Sequence, residues 1–342
     1  MQRLGIFHKN LSIDESMVPY FGNHSGKMFI RGKPIHFGYK LWVLTGNDGF
    51  PYHIQIYSGR DPSIKNHYKP LGYRVVDTLL KPARELSCPS LHTIHFDNFF
   101  TSYSLLTHLK EQKFKATGTL RKNRTNDAEK KLVDDKSLKK AGRGSFDFCC
   151  DGSVFVVKWH DNDIVRLGSN YSTHEPVHHV KRRVGSSIES VTQPHLIYEH
   201  NKCMGDVDVM DKLLGSYRPK ITGKKWWCLL FTHALNLSVC EAWRIYCNLH
   251  PKNVPSHLEF RRTIVICLMK SSASKKRIGG GTHADLPNDV RCDNADHNFG
   301  STSQGRCVVC STNTRHMCTK CGVRLHCSNQ KQCFNIYHTR NT

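Results

Sequence analysis

The chain has 342 residues, long enough for a full core and for two or three domains. Lys and Arg number 50 against 28 Asp and Glu, a formal net charge of +22 that points to a polyanionic partner, most simply nucleic acid. No stretch approaches the ~18 apolar residues that span a bilayer, and the opening M-Q-R-L-G-I-F-H-K-N lacks the apolar core of a secretory signal, so neither a membrane partner nor secretion is expected.

Residues 10–120 read as α/β. Leu11 to Val18 is a strand candidate and Gly38 to Leu44 a second; Asn47-Asp48-Gly49 then marks a tight turn into a third, Tyr52 to Tyr57. Tyr73 to Leu80 has helical periodicity and stops before Pro82. Thr93 to Phe96 is a short buried strand ending at Asp97. Thr101-Ser102 caps an amphipathic helix from Tyr103 to Gln112, and Lys115 to Leu120 supplies a further strand. Three antiparallel-capable strands, then helix, strand, helix and strand, is the order of the RNase H-like fold, so residues 1–125 are expected to be its first part.

From Arg121 to Lys140 the chain turns polar and charged, and Ser145 to Leu167 alternates like a small β-unit. Residues 126–195 are read as an inserted β-rich subdomain, with a basic, exposed tract from His174 to Val184. From Tyr198 the pattern is helical. Val207, Met210, Leu213 and Leu214 share one face, while Asp208 and Asp211 stand at i,i+3 on a neighbouring one. Lys224 to Leu249 is a long apolar helix, residues 255–270 suit another, and 196–270 are expected to complete the domain. Residues 271–296 read as a flexible basic linker and 297–342 as a small cysteine-rich domain.

Two constellations carry chemistry. Asp14 and Asp97 end apolar, β-prone runs, and Asp208 lies on a helix. A carboxylate at a strand end is costly unless a cation meets it, and Mg²⁺ takes hard oxygen ligands on rigid supports. By spacing alone ordinary surface aspartates are the commoner reading, and spacing cannot separate the two. The second constellation is denser: Cys307-V-V-Cys310, Cys318-T-K-Cys321, Cys327, Cys333 and His338, with His297 upstream. These eight are candidate ligands for two Zn²⁺ ions in an interleaved cross-brace, with His316 and His326 as spare histidines. The other nine of the 15 cysteines are scattered, which fits a reducing compartment better than a disulfide scaffold.

S-I-D-E-S-M-V-P-Y-F-G, K-P-I-H-F-G-Y-K-L-W-V-L, H-F-D-N-F-F-T-S and N-K-C-M-G-D-V-D-V-M-D-K-L-L-G-S-Y-R together resemble the catalytic domain of piggyBac-type transposases, and especially the piggyBac-derived proteins resident in animal genomes. The resemblance runs from about His8 to His338 with its motifs in order. It implies an RNase H-like domain whose Asp14, Asp97 and Asp208 form a catalytic triad binding Mg²⁺ (or Mn²⁺), with Asp211 supporting the site. It implies metal-dependent cleavage of double-stranded DNA at transposon ends and joining into a TTAA target, each step an in-line displacement at phosphorus. It also implies that the cysteine-rich domain recognises element-end DNA, that the protein works in the nucleus, and that a homodimer is a candidate assembly.

Candidate DNA contacts are Lys33 and Lys40 around the first hairpin, Lys181, Arg182 and Arg183 in the basic tract, and Lys224 and Lys225 ahead of Trp226 and Trp227. A single lysine ordinarily faces solvent, and paired tryptophans ordinarily belong to a core. Two features depart from the family pattern. Only thirteen residues precede Asp14, where the family carries a sizeable N-terminal region, and Gly205-Asp206 stands where the family tends to have Gly-Gly. The expectation is therefore a transposase or its domesticated derivative. The alternatives are a catalytically inactive DNA- or chromatin-binding protein and, less in keeping with the upstream 290 residues, a RING-like ligase.

Overall fold

The structure, a computed structural model, describes residues 7–31, 33–59, 69–184, 186–221, 223, 225–273, 288–328 and 330–339. The chain forms two compact units, residues 1–245 and 246–342. The first opens with strands β1 (Asn10–Pro19), β2 (Met28–Phe29), β3 (Phe37–Gly46) and β4 (Pro51–Ile56), followed by helices α1 (Leu71–Leu79) and α2 (Lys81–Leu86). Next come β5 (Thr93–Phe96), α3 (Tyr103–Glu111), β6 (Lys115–Thr119) and the short helices α4 (Ala128–Lys131) and α5 (Asp135–Lys140). Strands β7 (Phe146–Cys150), β8 (Phe155–His160), β9 (Ile164–Ser169), β10 (His178–Val184) and β11 (Ser187–Gln193) precede helices α6 (His195–Cys203), α7 (Asp206–Ser216) and α8 (Trp226–Leu249).

β1 is the centre of the sheet. It pairs antiparallel with β3 and parallel with β5; β5 pairs parallel with β6, and β4 lies antiparallel on β3. The order β4-β3-β1-β5-β6 is that of an RNase H-like sheet, as the element order led one to expect. The segment read as an inserted subdomain is β-rich, yet most of it is not a separate body. β9 pairs antiparallel with β6, and β8 and β7 extend the sheet beyond it. The edge of β6 is thereby covered rather than left open. Among the described residues of this segment, β10 and β11 alone form a ribbon apart from the main sheet.

Alternation along β1 sends its side chains to two cores. Leu11 and Ile13 join Trp42 and Leu44 beneath α1 and α3, whereas Val18 joins Tyr39, Val43 and the α7 residues Val207, Met210 and Leu214. Helix α3 begins where expected, its Ser102 hydroxyl accepting from the Leu105 amide. Two glycines let elements approach near the aspartates. Gly49, at φ 79°, turns β3 into β4 against α7, where a Cβ would lie 2.9 Å from the Met210 nitrogen. At Gly72 a Cβ would lie 2.6 Å from the Phe99 carbonyl oxygen, just beyond Asp97.

The second unit contains α9 (His257–Ala273), α10 (Asn288–Arg291), the hairpin β12 (Phe299–Arg306) and β13 (Asn313–Cys318), and α11 (Cys333–His338). α9 runs three residues into the stretch read as linker, most of which (274–287) lies outside the described residues. Among the described residues no helix is long and apolar enough to cross a membrane.

Candidate metal centres

Asp14 lies within β1, Asp97 directly after β5, and Asp208 and Asp211 in the first two turns of α7. β1 and β5 are neighbours, so their aspartates share one end of the sheet, and α7 packs across β1. The Ser16 hydroxyl, two residues beyond Asp14, donates to Asp211 Oδ1 at 2.6 Å and pins the helix to the strand. Asp14 Oδ1 accepts from the Glu15 amide at 2.7 Å, and Asp97 Oδ1 from the Phe99 amide at 2.9 Å. Each carboxylate is thus held on one side by backbone and left with a second oxygen to offer.

Two residues that single-residue reasoning would place in solvent complete this pocket. Lys33 Nζ stands 3.8 Å from both Asp14 Oδ2 and Glu15 Oε1. Its charge also acts on Asp97, Asp208 and Asp211. Lys40 is nearly buried, 3.8 Å from Glu15 Oε2 and 3.9 Å over the Trp42 ring. Burial would lower the Lys33 pKa, but the carboxylates around it, Asp14 and Glu15 foremost, more than offset this and raise it. For Lys40 burial wins over Glu15 and the pKa falls.

The carboxyls show the same imbalance. Burial, abetted by Glu15 and Asp97, lifts Asp14 to about 7 despite Lys33. Burial raises Asp97 as well, and lifts Asp211 to about 6 against the Ser16 hydrogen bond. Hard oxygen donors desolvated in excess of the nearby ammonium groups suit a divalent cation such as Mg²⁺ or Mn²⁺. The oxygens are not drawn tightly together, however. Among the described residues, three or more candidate ligand atoms come within 4.8 Å of one another in only two places, both made of cysteine and histidine.

Those two groups are His297, Cys318, Cys321 and His338, and Cys307, Cys310, His326 and Cys333. They alternate along the chain, which is the interleaved arrangement expected. Cys327 differs from the expectation: it is exposed, and its neighbour His326 stands in the group instead. The histidines are oriented for the task. His338 Nδ1 donates to the Phe334 carbonyl at 2.8 Å and leaves Nε2 3.4 Å from Cys321 Sγ. His326 Nε2 donates to the Asn313 carbonyl, turning Nδ1 to Cys310, and His297 Nε2 bonds Asp293, turning Nδ1 to Cys318 and Cys321. A second ring nitrogen bonded to a carbonyl or carboxylate is how zinc-binding imidazoles are held. Soft thiolates with imidazole in fours fit Zn²⁺.

The remaining candidates divide. Lys181 and Arg183 are exposed on β10, whereas Arg182 turns inward, 3.4 Å from Asp161. Lys225 is exposed and Lys224 lies outside the described residues. Trp226 and Trp227 are not core: they are 44% and 48% exposed, because α8 buries Leu237 and Cys240 instead, and Trp226 stacks on His24 at 4.5 Å. Sequence reasoning also passed over His95 on β5 and His200 on α6, a buried pair with ring centres 5.7 Å apart, whose pKa values burial lowers to about 4 and about 3.

Comparison with known proteins agrees with this architecture. A family model described as Transposase IS4 matches residues 1–243. Human PiggyBac transposable element-derived protein 3 is 36% identical over 334 residues, covering 96% of this chain and 55% of the relative. Human PiggyBac transposable element-derived protein 2 is 32% identical with the same coverage, 96% and 55%. The chain thus spans about half the length of the curated relatives it matches. A cryo-EM structure of a piggyBac transposase synaptic complex with hairpin DNA shares the fold, with a TM-score of 0.62 at 22% identity over 92% of this chain and 69% of that one.

Proposed function

The chain belongs to the piggyBac-type transposase family, and from that premise we propose that it cleaves and joins double-stranded DNA through Asp14, Asp97 and Asp208. One observation carries the proposal. Desolvated Asp14 and Asp97 stand at one end of the sheet on neighbouring strands, and the Ser16–Asp211 hydrogen bond pins α7, which carries the exposed Asp208, to that same β1. Asp14, Asp97 and Asp208 would hold Mg²⁺ or Mn²⁺, and Asp211, fastened by Ser16, would set the orientation of α7. Bound metal of this kind lowers the cost of charge on the attacking and leaving oxygens of a phosphodiester. The chain's own part is to hold the ligands on rigid elements and to keep Lys40 where developing negative charge needs it, Lys33 being the cation a bound metal would displace.

In the same reading the cysteine-rich unit carries two Zn²⁺ and contacts the element ends, the target is TTAA, the work is done in the nucleus, and a homodimer is the assembly. A second reading, a derivative that binds DNA or chromatin without turnover, is favoured by one specific feature: the aspartate oxygens stand apart, with Lys33 ion-paired among them. Purified protein incubated with Mg²⁺ or Mn²⁺ and duplexes ending at TTAA, beside Asp97→Ala, separates the two. Nicking by the parent and none by the variant supports catalysis. Equal or absent nicking, with duplex binding retained, leaves the second reading.

A further inference from the structure

The ribbon formed by β10 and β11 has two unlike faces. Register places His179 opposite Thr192, Lys181 opposite Ser190 and Arg183 opposite Ile188, so these six share one face. His179, Lys181 and Arg183 are exposed, and that face carries no carboxylate. The other face is the anchor. Val191 is buried in the core that contains Trp159, whose indole N–H donates to the Thr192 carbonyl at 2.8 Å. His178 bonds His195 at 2.9 Å and stacks on Tyr198. Arg182 faces Asp161, which Arg143 also grips while donating to the Arg183 carbonyl at 3.0 Å.

We propose that this ribbon is a duplex-DNA contact in which Lys181 and Arg183 bind backbone phosphates with His179 beside them, while Arg182 fixes the ribbon and touches no DNA. The inference rests on the DNA-binding reading above and divides the basic tract by role. Alternate residues of a strand lie ~6.8 Å apart, so the basic row is a rigid ladder of charge rather than a diffuse patch. A two-stranded ribbon fits the ~12 Å major groove of B-form DNA, whereas the deep, narrow groove of A-form RNA does not admit it. Duplex DNA is therefore the partner of choice.

The test is the salt dependence of binding to a duplex of arbitrary sequence, followed by fluorescence anisotropy, for the whole chain. Each phosphate contact contributes ~0.9 to the slope of log K against log salt, so Lys181→Gln with Arg183→Gln is expected to lower that slope by about 2. Lys136→Gln with Lys140→Gln, an equal loss of charge on α5, is expected to leave it unchanged. Arg182→Gln is expected to weaken hydrogen-exchange protection of β10 and β11, a change the outward pair does not produce.

A slope unaltered by the outward pair, in a parent that binds DNA, overturns the ribbon assignment and leaves the DNA reading standing. So does an equal fall in the α5 control, or a larger effect on duplex RNA. A parent that binds no duplex overturns both.

Discussion

Asp206, one residue into α7, gives the sharpest test of how this chain departs from the family pattern. It is 6% exposed, and its Oδ2 has no hydrogen-bond partner. Burial first, and the charge of Asp48 second, lift its pKa from 3.8 to about 7, with only a hydrogen bond to Ser12 pulling the other way. The folded state therefore keeps a proton that the unfolded chain releases. Its stability falls as pH climbs from about 4 to about 7 and is level above that.

At 1.36 kcal/mol for each unit by which a pKa moves, the cost above pH 7 is about 4 kcal/mol; the favourable end of the α7 dipole reduces it, and about 2 kcal/mol is a working figure. Asp206→Asn keeps the shape and removes the titration. Urea unfolding followed by tryptophan fluorescence should find the variant about 2 kcal/mol more stable than the parent at pH 8 and nearly equal to it at pH 4. Titrations elsewhere cancel in the difference. A difference that does not change between those pH values, or a variant less stable at pH 8, would refute the reasoning.

Lys33→Ala should raise affinity for Mn²⁺, because Lys33 is the cation that now balances Asp14 and Glu15; a titration read by the paramagnetism of free Mn²⁺ would show weaker or unchanged affinity if the lysine merely decorates the site. Zinc analysis should give two ions per chain, one after Cys310→Ser and still two after Cys327→Ser, the last result distinguishing His326 from its neighbour as ligand. Glu129→Gln should cost about 3 kcal/mol, since it strips a partner from Lys158, which is fully buried, and from Arg166. A loss below ~1 kcal/mol in denaturant unfolding would mean that Asp135 alone satisfies both cations.

Much of the first unit was legible because its signals are local. Thr93–Phe96 is a run too short and too apolar to be anything but a buried strand, and Ser102 announces α3 by its capping chemistry. The two cysteine–histidine groups that could hold a metal were legible through C-x₂-C spacing, which fixes pairs. What spacing cannot fix is which of two adjacent residues faces inward, and so His326 and Cys327 changed places. The fate of Lys33 and Lys40 was equally hidden. Lys33 follows a two-residue strand and Lys40 alternates with apolar residues in β3, and only the pairing of β3 with β1 reveals that Glu15 awaits the latter. Continuity of the sheet through β6 and β9 was invisible for the same reason, since a pairing across some fifty residues leaves no local trace.

A chain with a net charge of +22 nevertheless builds a desolvated pocket from carboxylates. The two facts are complementary. A polyanion approaching a basic surface is repelled by any acidic patch unless the patch is neutralised, and at this pocket two lysines supply part of that neutralisation without filling it. Lys33 does so from a loop before β3, against several carboxylates at once, while Lys40 does so from within the sheet, locked between Glu15 and Trp42. Among the described residues Lys33 is held only by polar contacts to Asp14 and Glu15, whereas Lys40 is also packed against the Trp42 ring. The residual negative charge is what a divalent cation would answer, and Lys33 is the group that would yield to it. If the proposed catalysis holds, it turns less on whether the aspartates are present than on how readily one lysine lets go of them.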